Sequence, residues 1–319
     1  MKIRTIINLI RNIRKYRYLY FLFTQDMQRY LNYSCFNATN PECLATRIRL
    51  LSHAIEKGMS LPNCRVGFGQ DKIKELIQLC DKYSAVRNHK DSQAIEVAYA
   101  VIRSYIALES KEGVDLSFIP PRDKEQVVKS NIKAGTSNFS GNIDPQYFQQ
   151  VALHRHSLRY FSKKQVNQKD IQRAVAIAQT APSACNRQPI HIYAVTDTHK
   201  INQIMQLHSG IRTLTNPTVI FIVTGDRTLY QGEYERNTVY VDGGIFTMNL
   251  LYALDSVGIA SCPAIWGNIP SDDAALQAIV GIEPNHTIVN LIVAGYYPNY
   301  EYKAATSSRR ETSQILHIV

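Results

Sequence analysis

The sequence predicts a protein in two parts: an all-helical region over residues 1–130 and a three-layer α/β or α+β domain over residues 150–319. Three observations carry this. Apolar residues in the first part recur at three- and four-residue steps, the period of a helix with one buried face. From residue 150 onward, short β-branched runs alternate with helical segments, the pattern of helices packed on a sheet. Between them the chain turns polar and irregular, with Pro120-Pro121, Gly135, Gly141 and Pro145, and residues 131–149 read as a linker.

The elements follow in order. Ile3, Ile6, Ile7, Ile10 and Ile13 have helical spacing among the basic residues Lys2, Arg4, Arg11, Arg14, Lys15 and Arg17. Arginines interrupt what would have to be the apolar core of a secretion signal. No uncharged run approaches the roughly 18 residues of a membrane span. The segment is expected to pack on the body with its basic face in water; the competing reading is a helix lying peripherally on a membrane surface. Helices follow over residues 44–57, 72–83 and 92–108, the first two separated by Gly58, Pro62, Gly67 and Gly69. After the linker, residues 169–180 read as a helix and 190–196 as a strand. The run Thr218 to Thr224 is nearly all apolar, as in a central strand covered on both faces. Residues 239–257 are apolar on most sides and read as a buried helix. A short strand at 261–265, a helix at 271–280 capped by Ser271 or Asp272, and a strand at 287–294 complete the chain.

Composition bounds the function. The chain has 319 residues, 45% hydrophobic and 19% charged, which fits a soluble globular protein rather than a disordered or repetitive one. Its 36 Lys and Arg against 26 Asp and Glu give a formal charge of +10, compatible with anionic ligands or with solubility alone. None of the six cysteines forms a Cys-x-x-Cys pair, so they are expected as reduced thiols of a cytoplasmic protein. The nine histidines show no metal-binding spacing, and no metal is expected. No Gly-x-Gly-x-x-Gly follows a strand, which argues against a Rossmann site.

Two segments carry chemistry. Arg155, Ser157 and Arg159 alternate, so in an extended segment two guanidinium forks and a hydroxyl face one way, a good phosphate clamp. About two dozen residues on, Pro182 and Pro189 bracket a loop holding Ser183, Asn186 and Gln188, whose hydroxyl and amides suit the edge of a flat heteroaromatic ring.

Arg155-His-Ser-Leu-Arg-Tyr-Phe161 followed by the 182–189 segment resembles the nitroreductase family of FMN-dependent oxidoreductases. Further stretches fall in that family's order. Asp242-Gly-Gly-Ile-Phe-Thr-Met-Asn249 resembles the start of its long central helix, and Gly258-Ile-Ala-Ser-Cys-Pro263 its segment near the flavin. Gly295-Tyr296 resembles the close of its last core strand, and Ser308-Arg309-Arg310 its second phosphate-contacting element. The resemblance covers about residues 150–319. It implies an α+β, three-layer fold with a central mixed or antiparallel sheet, here preceded by the helical region.

The same resemblance implies roles. Arg155, Ser157 and Arg159 would hold the FMN phosphate and ribityl chain, and Arg309 or Arg310 would close on the phosphate. Pro182, Ser183, Asn186 and Gln188 would meet the isoalloxazine, with the Pro263 and Ala264 backbone beside it. NADH or NADPH would reduce the flavin, and a small-molecule acceptor would reoxidise it in ping-pong fashion. A homodimer with FMN at its interface is implied; nucleic acid is not expected as a partner. No separate catalytic side chain is assigned, because the chemistry lies on the flavin. Three residues depart from the family pattern: Ala260 replaces a glycine, Pro263 stands where many members have Trp, and Cys185, read as a buried small side chain, occupies the flavin loop. The run Ala54 to Pro62, with Arg65 and Gly67-Phe-Gly69, resembles longer nitroreductase-like proteins, some tied to surface polysaccharide biosynthesis. A flavin enzyme of that kind, and a non-enzymatic binding protein with an FMN fold, are the alternative readings.

Overall fold

The computed structural model describes residues 2–36, 41–62, 64–87, 91–137, 145–305, 307 and 309–319, and side chains from residue 13 on, those of Ser92 and Pro145 excepted. Gly141 and Ser308, singled out above, lie outside the described residues.

Five helices come first: α1 (Lys2–Tyr33), α2 (Glu42–Met59), α3 (Gln70–Ser84), α4 (Ser92–Glu109) and α5 (Pro121–Lys129). The periodic residues of α2 to α5 meet in one core that includes Ile48, Ile55, Ile73, Leu76, Tyr83, Ile102, Tyr105 and Val127. The Ala54 to Gly69 run builds this core. Gly58 leaves room for the Phe68 ring, which packs edge-on to Tyr105 at 5.6 Å. Tyr105 Oη donates to the Phe68 carbonyl at 2.7 Å, and Glu109 accepts from Gly67 N at 2.7 Å. Glu56 accepts from Gly135 N at 2.9 Å, a bond that ties α2 to the segment after α5. Helix α5 lies in a stretch that reads as irregular in sequence; its Pro121 sits in the first turn, where a missing N–H is harmless.

The second part contains α6 (Pro145–His154), α7 (Gln168–Ala178), α8 (Thr198–Leu207), α9 (Thr238–Ser256), α10 (Pro270–Val280) and four strands: β1 (Ile190–Val195), β2 (Val219–Asp226), β3 (Ile259–Ile265) and β4 (His286–Tyr296). The sheet is fully antiparallel in the order β1-β2-β4-β3. Alternation along β2 defines the layers. Val219, Phe221 and Val223 pack with α7 and α9, while Ile220 and Ile222 pack with α8 and α10. Burying each such side chain is worth about 1.5–3 kcal/mol. Pro263 lies in β3, an edge strand, where a missing ladder donor is tolerated. Gly258, at φ +79°, makes the tight return from α9 into β3.

Four expectations need correction. Cys35 and Cys43 are joined as a disulfide, because the turn after α1 brings their Cα atoms to 5.6 Å, within bridging distance. Cys185 is exposed rather than buried. Helix α10 begins after Ile269 with Pro270 in its first turn, and neither Ser271 nor Asp272 caps it. Helix α9 is not buried all round: Val241, Ile245 and Met248 form an exposed stripe at steps of four and three residues.

The two parts touch at the segment around residues 228–232. Thr46 Oγ1 donates to the Thr228 carbonyl at 3.0 Å, Cys35 N to Tyr230 O at 2.8 Å, and Tyr30 Oη to Gly232 O at 2.6 Å. Among the described side chains, helix α1 docks by its last turns, where Arg29 pairs with Asp273 at 2.5 Å and Tyr30 is buried. Its Tyr16, Tyr20 and Phe23 are well exposed. Among the described residues no helix is long and apolar enough to cross a membrane.

Candidate functional site

After α6 the chain runs extended beside the edge strand. Ser157 bridges Ser261, Leu158 N donates to Ser261 O at 3.1 Å, and Thr215 N donates to Arg159 O at 3.0 Å. Leu158 and Phe161 are buried and anchor the segment. Arg155, Ser157 and Arg159 all lie near enough to Cys262 to act on its thiol. Burial pushes that thiol up, while Arg159, a hydrogen bond with Ser157, and Arg155 act against the shift. The Nε of Arg155 is buried without a hydrogen-bond partner among the described residues. A buried guanidinium N–H is costly to leave unmade, so an anionic oxygen is the acceptor that this spot fits. Pro263 and Ala264 follow Cys262 directly along β3; Ala264 packs in the same cluster as Cys262, while alternation turns Pro263 to the other face. The C-terminal segment returns here: Lys303 N donates to Tyr160 Oη at 2.6 Å. Arg309 and Arg310 are both exposed a few residues farther on.

The proline-bracketed loop is built differently. Gln188 N donates to Ser183 Oγ at 2.9 Å, Asn186 N to Ser183 O at 2.9 Å, and Ala184 N to Asp242 Oδ1 at 3.0 Å. Cys185, Asn186 and Gln188 have φ of 51°, 50° and 53°, a left-handed conformation that costs a non-glycine residue energy. Pro182, Cys185, Asn186 and Gln188 turn outward, and Ser183 is half-buried. What holds this conformation is a residue the sequence reading passed over. Arg187 is fully buried and forked onto Glu235, with its guanidinium carbon 5.1 Å from the centre of the Tyr230 ring. Tyr230 Oη in turn donates to Asp242 at 2.9 Å. An arginine between prolines was visible in the sequence; its partner, far along the chain, was not.

The structure does not bring these two groups together within one chain. His154, next to Arg155, bonds Asp255 near the C-terminal end of α9 at 2.9 Å. The loop bonds Asp242 near the other end. At about 1.5 Å rise per residue, the two ends of α9 used here lie roughly 20 Å apart. None of the larger cavities among the described residues is lined by both. One of these, about 910 Å³, lies where the two parts of the chain meet. Arg49, Arg87 and Asp91 line it from the helical side; Gln188, His191 and Asp226 line it from the sheet side.

Residues 152–210 match the model of the nitroreductase family. A protein from Archaeoglobus fulgidus, provisionally named an NADH dehydrogenase/NAD(P)H nitroreductase, is 29% identical over 145 residues, 44% of this chain and 80% of its own. An enone reductase of CLA biosynthesis from Lactiplantibacillus plantarum is 32% identical over 100 residues, 30% of this chain and 46% of its own. A crystal structure of a provisionally named nitroreductase from Bacillus subtilis superposes with a TM-score of 0.50 at 17% identity, over 55% of this chain and all of its own, a likeness of fold. The helical region of residues 1–130 lies outside the family-model match.

Proposed function

We propose that this chain, whose second half belongs to the nitroreductase family, is an FMN-dependent oxidoreductase that takes hydride from NADH or NADPH and passes it to a small-molecule acceptor. The observation that carries the reading is the placement of Arg155, Ser157 and Arg159 in a segment bridged to β3 and near Cys262, with a buried Arg155 N–H in want of an acceptor. Two guanidiniums and a hydroxyl suit a phosphate monoester. FMN, when bound, supplies the hydride chemistry; the protein supplies position and electrostatics. Arg309 or Arg310 reaches the same phosphate from the segment tethered at Tyr160. Ser183, Asn186 and Gln188 offer hydrogen bonds to the ring edge, and Pro182 with the Pro263 to Ala264 backbone flanks it.

The separation of the two groups along α9 argues for a homodimer. One chain supplies the arginine clamp, its partner the loop, and the site is complete only in the pair. The exposed stripe of Val241, Ile245 and Met248 on α9 gives the two copies an apolar seam to close on. Absorbance of the purified protein tests the reading. A flavin band that bleaches on addition of NADH or NADPH supports it; the lack of any band after FMN has been supplied overturns it.

A second reading concerns residues 1–130. Because the large cavity has one wall from each part of the chain, the helical region shapes the space in which the acceptor is held. A chain starting near residue 142 that keeps flavin and generic reductase activity but loses acceptor preference would bear this out; unchanged preference would reject it.

A further inference from the structure

We infer that the sheet end facing the large cavity carries a divalent transition-metal site formed by His191, Asp226 and His286. One side-chain nitrogen of each histidine and one carboxylate oxygen lie within 4.8 Å of one another. The three residues come from three neighbouring strands: His191 from β1, Asp226 from the end of β2, His286 from the start of β4. The register explains their meeting. Asp226 is paired with His286 across β2 and β4, and His191 is paired with Thr224, two residues before Asp226 on β2. Positions on a rigid sheet hold a ligand set more accurately than loops do.

The surroundings orient each ligand. Nδ1 of His286 lies 3.0 Å from Tyr193 Oη and 3.3 Å from Thr224 Oγ1, contacts that fix the ring and select its tautomer. Asp226 Oδ1 accepts from Thr228 N at 2.9 Å, Thr228 Oγ1 at 2.8 Å and Asn285 Nδ2 at 2.7 Å, which immobilises the carboxylate. His286 is buried, Asp226 half-buried and His191 exposed, so the set is fixed at its inner end and adjustable at its outer one. The ligand atoms lie within 4.8 Å of one another; a tetrahedral set with bonds of about 2.1 Å brings them to about 3.4 Å, so closing on an ion requires the exposed His191 to turn inward.

The donor set names the ion class. Two imidazoles and one carboxylate suit zinc, ferrous iron and their neighbours, whereas magnesium and calcium prefer all-oxygen sets. Three protein ligands leave coordination positions open, as in sites that bind an exogenous group. Here those positions open onto the cavity of about 910 Å³, whose lining also includes Gln188 of the proposed flavin loop. An ion so placed would bind a carboxylate or hydroxyl group of a molecule in the cavity. Sequence spacing could not show the site, because its members are brought together only by strand pairing.

The site is independent of the flavin reading and is tested without it. The full chain is titrated with Zn2+ against a competing chromophoric chelator, and separately with Co2+ while its visible absorption is followed. One saturable equivalent is expected, with a Co2+ spectrum of nitrogen and oxygen coordination. His191→Ala, at an exposed position that should leave the fold intact, is expected to weaken Zn2+ binding more than tenfold, and Asp226→Asn similarly. Tyr193→Phe should weaken it on the order of 10–100-fold, the range for losing a ligand-orienting contact. Absence of saturable binding overturns the site. So does equal binding by His191→Ala, or a Co2+ spectrum with thiolate charge transfer, since either would place the ion elsewhere.

Discussion

Arg187 and Glu235 meet in a two-bond fork, Nη1 to Oε2 at 2.9 Å and Nη2 to Oε1 at 2.7 Å, behind the loop that presents Asn186 and Gln188 to solvent. The pair does more than fill space. Arg187 Nε also donates to the Ala184 carbonyl at 3.0 Å, and Glu235 accepts from Gln231 N at 2.7 Å. The fork therefore ties the strained loop to the segment that the helical region docks on. Removing one partner leaves a buried charge, which typically costs about 3–5 kcal/mol. Arg187→Met should lower the unfolding free energy measured in urea by that much, with a lower midpoint, and relax the loop, and amide exchange at 184–188 should speed up. A midpoint within experimental error of the parent would show that the fork is dispensable.

This pair couples stability to acid. Burial alone would raise the Glu235 carboxyl, but the hydrogen bonds from Arg187 and Gln231 N outweigh it and hold the group below its ordinary value of 4.5. A carboxyl depressed in the fold adds stability above its unfolded value, and that stability is lost as pH falls through the folded one. Stability should thus decline with acid below about pH 4.5, and the slope should be shallower in Glu235→Gln. Identical slopes in the two proteins would assign the decline to other carboxyls.

The proposed phosphate clamp predicts a graded loss of FMN affinity. Arg155→Ala and Arg159→Ala should each weaken FMN binding by about 1–3 kcal/mol, the range for a lost charged hydrogen bond. Quenching of free flavin fluorescence measures this directly. Unchanged affinity in both variants would remove the phosphate from this place.

The stripe on α9 predicts linked assembly and cofactor binding. Ile245→Glu puts a charge in the proposed seam and should yield monomers by light scattering, with flavin lost in parallel. Monomers that retain flavin would mean that one chain builds the whole site, against the separation seen along α9.

The disulfide can be examined by mass spectrometry after alkylation, with and without reductant. Closing a loop this short contributes about 2–3 kcal/mol in the chain-entropy view, and Cys35 and Cys43 are separated by only 8 positions. Cys35→Ser should cost that amount and loosen the contact between Cys35 N and Tyr230 O first. Stability equal to that of the parent would place the bridge outside the folded core.

Periodicity along the chain determined the layered helix-and-sheet class, which the family resemblance narrowed to α+β, together with the helical first part and all four strands within a residue or two. These are local properties: alternation in β2 and the three- and four-residue steps in α2 to α4 record which side chains must leave water. The Arg155 to Arg159 triplet and the 182–189 loop were legible for the same reason, each being compact in sequence. The tertiary structure alone decided what those pieces face. It set the clamp and the loop at opposite ends of α9, supplied Arg187 with Glu235, and joined Cys35 to Cys43. It also aligned His191, Asp226 and His286 at one end of the sheet. Each of these depends on the register of strands or the docking of helices, and pairing free energy is spread over many residues that carry no mark of their partner.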